Sequence, residues 1–137
     1  MNRSDLSQNQ KYLGFKKAFN TYKHHLENEN YIAAYVIAFS ILEDRVSAMY
    51  VIRLRQTQKK PDVWHSFVKK LGILKANGDI DDSNYAEWKK AAMNRNSKIH
   101  AAMWRVDEFS KTDCEDVIKF ARQADTARIK QKKELGQ

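Results

Sequence analysis

The chain has 137 residues, with 25 Lys and Arg against 17 Asp and Glu, and a formal net charge of +8. This length predicts one domain over residues 1–137, large enough to bury a single core. Four Gly and one Pro leave few turns, which favours an all-α fold. The Gly residues stand far apart, which excludes a P-loop or a Rossmann nucleotide site.

Signals for secretion, a membrane span or a metal site are weak. The start of the chain, MNRSDLSQNQ, is polar and unlike a signal peptide. The longest apolar run, residues 31–42, is shorter than the ~20 residues of a membrane-spanning helix. Cys114 is the only Cys and has no ligand-spaced neighbours. We therefore expect a cytoplasmic protein with a free thiol, no membrane association, no metal and no cofactor.

Apolar spacing predicts five amphipathic helices in an up-and-down bundle. The first helix is predicted at about 7–28. The second, at about 30–56, has an apolar first half that should lie at the centre of the bundle. The third is predicted at about 62–76, with Asp62 as its N-cap and Asn77-Gly78 as its end.

The last two helices carry the polar residues of greatest interest. The fourth is predicted to run from an N-cap at Ser83 to about Trp104. The fifth should begin near Asp113, with acidic residues in its first turn. Its basic end, from about residue 128, is expected to fray.

Three polar residues of the fourth helix interrupt or flank its apolar stripe. Arg95, Asn96 and His100 lie in or beside a sector whose members are Tyr85, Trp88, Ala92, Ile99 and Met103. Burying an unpaired guanidinium or amide costs several kcal/mol. This face should therefore open to a cleft or meet a partner, unless Arg95 extends to the surface and His100 is a satisfied core histidine.

The segment Arg95-Asn96-x3-His100, near the end of the penultimate helix of a small five-helix chain, resembles the HEPN superfamily. The family signature is Arg, a polar residue, a short spacer and His. The resemblance covers most of the chain as architecture and residues 95–100 as motif. It implies a homodimeric helical bundle with two motifs facing a shared cleft. It also implies a metal-independent endoribonuclease in which the RNA 2′-OH attacks and leaves a 2′,3′-cyclic phosphate, in defence, as a toxin or in a mobile-element conflict.

The residue chemistry suits this reaction. His100 can take or give a proton at physiological pH. Arg95 offers a planar, permanently charged fork for phosphate. Asn96 lies four residues before His100, so it could orient the imidazole or hold the phosphate. The resemblance adds Glu43, because an acidic residue of the second helix often lies near the cleft in this family.

Other basic residues are candidates for RNA phosphate contacts. They are Lys98 and Arg105 near the motif, and Arg53, Arg55, Lys59 and Lys60 near the bend after the second helix. Alternatively, each of these residues is a charged side chain on a solvated face and has no role in RNA binding. Position 102 is Ala where some family toxins carry a Tyr that a partner enzyme modifies, so silencing by that route is not expected. An antitoxin or another regulatory protein is still a possible partner.

Two further interpretations stay open. The chain could be a non-catalytic HEPN-like module that binds RNA or a protein. It could also be a helical interaction protein in which Arg95 and His100 have structural roles.

Overall fold

A computed structural model of the chain describes residues 8–57, 59–60, 65–102 and 109–137, without the side chains of 8–12 and 102. Throughout these ranges the regular structure is helical and no strand occurs, which confirms the all-α prediction. The helices are α1 (Gln8–Glu27), α2 (Tyr31–Gln56), α3 (Phe67–Ala76), α4 (Asp82–Ala102) and α5 (Lys111–Glu134). No helix in the described ranges is long and apolar enough to cross a bilayer.

Helix α2 forms the centre of the bundle, as its apolar first half predicts. It packs against α1, α3 and α5, while α4 lies against α3 and α5. Its fully buried side chains are Ala34, Ala38, Leu42, Val46 and Met49. Because of this central position, residues along α2 can meet side chains from distant parts of the chain.

The turn between α3 and α4 closes as predicted. Asn77 is the C-cap of α3, and Gly78 adopts a φ of 75°. The Gly78 N–H donates to the Lys75 carbonyl at 3.0 Å. This left-handed conformation is one that Gly adopts without the steric cost of a Cβ.

The N-caps of α3 and α4 differ from the predicted ones. Ser66 caps α3, its hydroxyl accepting from the Lys69 N–H at 3.1 Å. The expected cap at Asp62 lies outside the described residues. The prediction of Ser83 for α4 is wrong, because the Asp81 carboxylate accepts from the Asn84 N–H at 2.6 Å. A carboxylate at this end also gains from the helix dipole.

The C-terminal end of α5, where the sequence predicted a frayed tail from about residue 128, is hydrogen-bonded to α2. The helix continues to Glu134. Gln131 is only 2% exposed, and its side-chain amide donates to the Met49 carbonyl at 3.0 Å. Gln137 likewise donates to the Ile52 carbonyl of α2 at 3.1 Å. Spacing within α5 cannot reveal these bonds, because both acceptors belong to α2.

Candidate active site

In helix α4, Arg95 lies on the inward face. The apolar spacing predicted that Ile99 would lie there. Trp88 is fully buried as expected, but Ile99 is 39% exposed. Asn96 is exposed as well, whereas Arg95 is half-buried. The prediction that Ile99 faces the core is therefore wrong, while Met103, the other residue in the second half of the predicted stripe, lies outside the described residues. A charged side chain can occupy this inward face because partners from α2 satisfy it.

Those partners hold the Arg95 guanidinium on two sides. Its Nη1 donates to Glu43 Oε1 at 2.6 Å. Its Cζ lies 4.7 Å from the centroid of the Phe39 ring, a cation–π distance. The Arg95 and Glu43 side chains keep 36% and 39% of their surface exposed. The guanidinium is thus oriented by the protein and still accessible to a ligand.

Glu43 also changes what Arg95 can do. The carboxylate occupies one donor of the fork and offsets its charge. An incoming phosphate must either share the guanidinium with Glu43 or replace it. The structure therefore brings together two of the residues singled out in the sequence, Arg95 and Glu43, which are 52 positions apart in the chain.

The other two motif residues, Asn96 and His100, lie on the solvent side of α4. With them are Met93, 62% exposed, and Ile99, 39% exposed. We call Met93, Asn96, Ile99 and His100 the outer face of α4. At 100° per residue, Arg95 and His100 point about 140° apart around the helix. Within one subunit the two side chains therefore leave α4 in different directions.

Lys98 joins the end of α4 to the start of α5. Its Nζ donates to Asp113 Oδ2 at 3.0 Å, and Asp113 also completes a capping box with Ser110. Burial alone would raise the pKa of Asp113. The hydrogen bonds from Lys98 and Ser110 and the Lys98 charge outweigh burial and lower that pKa. A phosphate contact by Lys98 would therefore compete with this link.

The predicted phosphate-binding residues near the end of α2 divide into two groups. Arg53 forms a two-point ion pair with Asp79, at 2.8 and 2.6 Å, and the Asp79 side chain is only 4% exposed. The Asp79 hydrogen bond raises the pKa of Arg53, and its charge adds to this, while burial opposes it. Arg55, Lys59 and Lys60 are exposed. Arg105 lies outside the described residues.

Sequence reasoning missed a second polar group, which we call the α2–α3 cluster: Ser47, Tyr50, His65 and Lys70. Lys70 Nζ donates to Ser47 Oγ at 3.1 Å and lies 5.6 Å from the Tyr50 ring centroid. Tyr50 Oη and His65 Nδ1 are 2.6 Å apart. In the sequence His65 has no partner at a recognisable spacing. The only available signal was that Ser47 and Tyr50 continue the helical row of Glu43.

Cys114 is a free thiol, as the sequence predicted, and the structure shows that it is buried. Its Sγ donates to the Tyr31 carbonyl at 3.3 Å. Burial raises the pKa of the thiol to about 11, with a smaller contribution from Asp113. The thiol is neutral at physiological pH, so it is a poor nucleophile and a poor metal ligand. Among the described residues, no three His, Cys, Asp or Glu side chains are grouped to hold a metal ion.

A cleft of about 900 Å³ opens elsewhere, between the turn after α3 and helix α5. Its walls carry both signs of charge, including Lys75, Asp81 and Arg122. Neither Arg95 nor any other residue of the motif lines it. The motif thus lies on a separate surface.

Comparisons with known protein families, curated proteins and solved structures give no match for this chain. The likeness to the HEPN superfamily therefore depends on residues 95–100 and on the order of the helices.

Proposed function

We propose that the chain is a metal-independent endoribonuclease of the HEPN type that acts as a homodimer. The RNA 2′-oxygen attacks the adjacent phosphorus and the bond to the 5′-oxygen breaks. One His100 takes the 2′-OH proton, and the His100 of the second copy gives a proton to the leaving 5′-oxygen. Arg95 stabilises the charge that grows on the phosphate, and Asn96 orients the imidazole. The product ends are a 2′,3′-cyclic phosphate and a 5′-OH.

The observation that carries this proposal is the environment of Arg95. Its guanidinium is anchored by Glu43 and Phe39, yet more than a third of the side chain is exposed. A fork that is oriented before the substrate arrives loses less entropy when it binds phosphate. His100 lies five residues further along the same helix and is exposed.

The outer face of α4 supports the dimer. Met93 and Ile99 expose apolar surface on either side of Asn96. In a two-fold dimer built on this face, the same surface of each copy would meet, and His100 of one copy could approach Arg95 of the other. Such a contact would offset the divergence of the two residues within one subunit.

The charge of the chain favours RNA as the partner. The net charge is +8, and Arg55, Lys59 and Lys60 are exposed near the end of α2. Basic residues attract any nucleic acid through its phosphates. The proposed chemistry selects RNA over DNA because it needs the 2′-OH.

The direct test is cleavage of mixed-sequence single-stranded RNA by the wild type, Arg95→Ala, His100→Ala and the control Lys90→Ala. Lys90 is an exposed residue of the same helix. We expect the wild type and the control to cleave in the presence of EDTA and to leave cyclic phosphate ends, detectable by mass spectrometry. Equal residual cleavage by all four proteins, or none by the wild type, contradicts the proposal.

The exposed Met93 and Ile99 also suit a non-catalytic module that binds RNA or a protein through the same face. Salt-dependent RNA binding that survives His100→Ala, without cleavage by the wild type, would support that function.

A role as a toxin or in defence is tested by expression in bacteria. Growth arrest by the wild type that Arg95→Ala relieves is the result we expect.

A further inference from the structure

We infer that the α2–α3 cluster is a second phosphate-binding subsite, which holds the RNA phosphate next to the one that Arg95 binds. The inference rests on the proposed function for the nature of its ligand. The geometry on which it depends is independent of the motif, because Ser47, Tyr50, His65 and Lys70 belong to α2, to α3 and to the residues just before α3.

The cluster presents hydrogen-bond donors and positive charge. Lys70 carries three N–H donors and uses one on Ser47 Oγ. The Ser47 hydroxyl accepts there and keeps its own hydrogen as a donor. Tyr50, whose ring centroid lies 5.6 Å from Lys70 Nζ, connects this pair to His65 through the 2.6 Å contact between its Oη and His65 Nδ1. Phosphate oxygens accept hydrogen bonds, so they match this set of groups.

The surroundings favour an anion. Ser47, His65 and Lys70 are partly exposed, and Lys69 adds an exposed charge on the same turn of α3. Within the described ranges, two acidic side chains beside neighbouring parts of α2 are already paired. Asp79 is bound by Arg53, and Glu43 by Arg95.

The position of the cluster connects it to Arg95. Glu43 and Ser47 are four residues apart on α2, so their Cβ atoms are about 6 Å apart. Arg95 is bound to Glu43, and Lys70 is bound to Ser47. The two cations therefore approach α2 one helical turn apart. Neighbouring phosphates of an RNA strand have a spacing of the same order, so one strand can contact both.

The first experiment tests the subsite without any requirement for cleavage. Inorganic phosphate is titrated against chloride at constant ionic strength, and the imidazole signals of the four histidines are followed by NMR. We expect the His65 signals to shift in the wild type and in Lys69→Gln, and to stay constant in Lys70→Gln. Lys69→Gln is the matched control, because it removes the same charge from the neighbouring exposed position. No shift in the wild type, or equal shifts in both variants, overturns the inference.

The second experiment links the subsite to the reaction. A dinucleotide with one phosphodiester is compared with trinucleotides extended by one nucleotide at either end. We expect one extension to raise kcat/KM of the wild type about tenfold, the gain from one charge-assisted hydrogen-bonded contact. Lys70→Gln should lose this gain and still cleave the dinucleotide at the wild-type rate, whereas Lys70→Arg should keep part of it. An unchanged gain in Lys70→Gln contradicts the inference.

Ser47→Ala is a second variant in case Lys70→Gln unfolds, and thermal melting by circular dichroism checks both. The outcomes separate the two proposals. If phosphate shifts the His65 signals of a wild type that cleaves no RNA, the ribonuclease proposal is refuted and the phosphate subsite is supported. Cleavage without a phosphate response refutes the subsite and leaves the ribonuclease.

Discussion

Arg95 and Glu43 form an ion pair of 2.6 Å that joins α4 to α2, with Phe39 beneath the guanidinium. With both side chains more than a third exposed, this pair adds little to the stability of the fold. Its consequence is orientation, because it fixes the direction of a cation on the helix that also carries His100. The effects of changing either partner should therefore appear in RNA binding and catalysis more than in unfolding.

Arg95→Lys should lower kcat on RNA by about 100-fold while the free energy of unfolding changes little. Lysine keeps the charge, but it has no planar fork with which to hold Glu43 and a phosphate together, and no flat group to stack on Phe39. Single-turnover cleavage and urea unfolding measure the two quantities. A variant with wild-type kcat would show that the fork has no part in catalysis.

Glu43→Gln should tighten RNA binding several-fold and lower kcat. Loss of the carboxylate charge removes a competitor of phosphate for Arg95, which favours the bound ground state. The same change loosens the guanidinium, which weakens its action in the transition state. Fluorescence anisotropy gives Kd, and cleavage of saturating RNA gives kcat. Glu87→Gln, an exposed change on α4, is the charge-matched control. If Glu87→Gln changed Kd and kcat in the same way, the effect of Glu43→Gln would come from the net charge and not from the contact with Arg95.

The sequence predicted the helices well and their polar contacts poorly. Apolar periodicity is a local signal, and it located α2 within one residue at its start. The direction of Arg95 depends on Glu43, 52 positions away, and the end of α5 depends on carbonyls of α2. Such partners meet only after folding, so spacing within one helix assigned Ile99 to the inward face and could not predict the bond between Gln131 and the Met49 carbonyl.

Arg53 and Arg55 should behave oppositely although both are basic residues at the end of α2. Arg53→Met leaves the buried Asp79 carboxylate without its partner and should cost about 3–5 kcal/mol of unfolding free energy. Arg55 is exposed, so Arg55→Met should leave stability unchanged. Instead, the negative slope of log K for single-stranded RNA against log salt should decrease in magnitude by about 0.7. Urea unfolding and salt titrations of anisotropy separate the two. Equal stabilities of the variants would contradict the structural role of Arg53.

Asp113 should make the stability of the bundle sensitive to acid. Its folded pKa is lowered, so the stabilisation is complete above the unfolded pKa of about 3.9 and is lost as the pH falls through the lower folded value. Asp113→Asn should therefore be less stable than the wild type by about 1 kcal/mol at neutral pH, and the difference should shrink as the pH falls below about 4. Asp116→Asn, an exposed change near the start of α5, is the control. A pH-independent difference for Asp113→Asn would rule out its carboxylate as the cause.

The divergence of Arg95 and His100 on α4 leads to a test of the shared site. Arg95→Ala and His100→Ala homodimers should each be inactive. The proposed reaction uses the His100 of both copies, so a heterodimer of wild-type and His100→Ala subunits, co-expressed with different tags and purified by both, should be nearly inactive. About half of the wild-type activity in this heterodimer would instead show that each subunit forms its own site.

Met93→Glu, which places a charge on the outer face of α4, should give a monomer, measured by light scattering, and abolish cleavage with little loss of stability. An active monomer would refute the composite site.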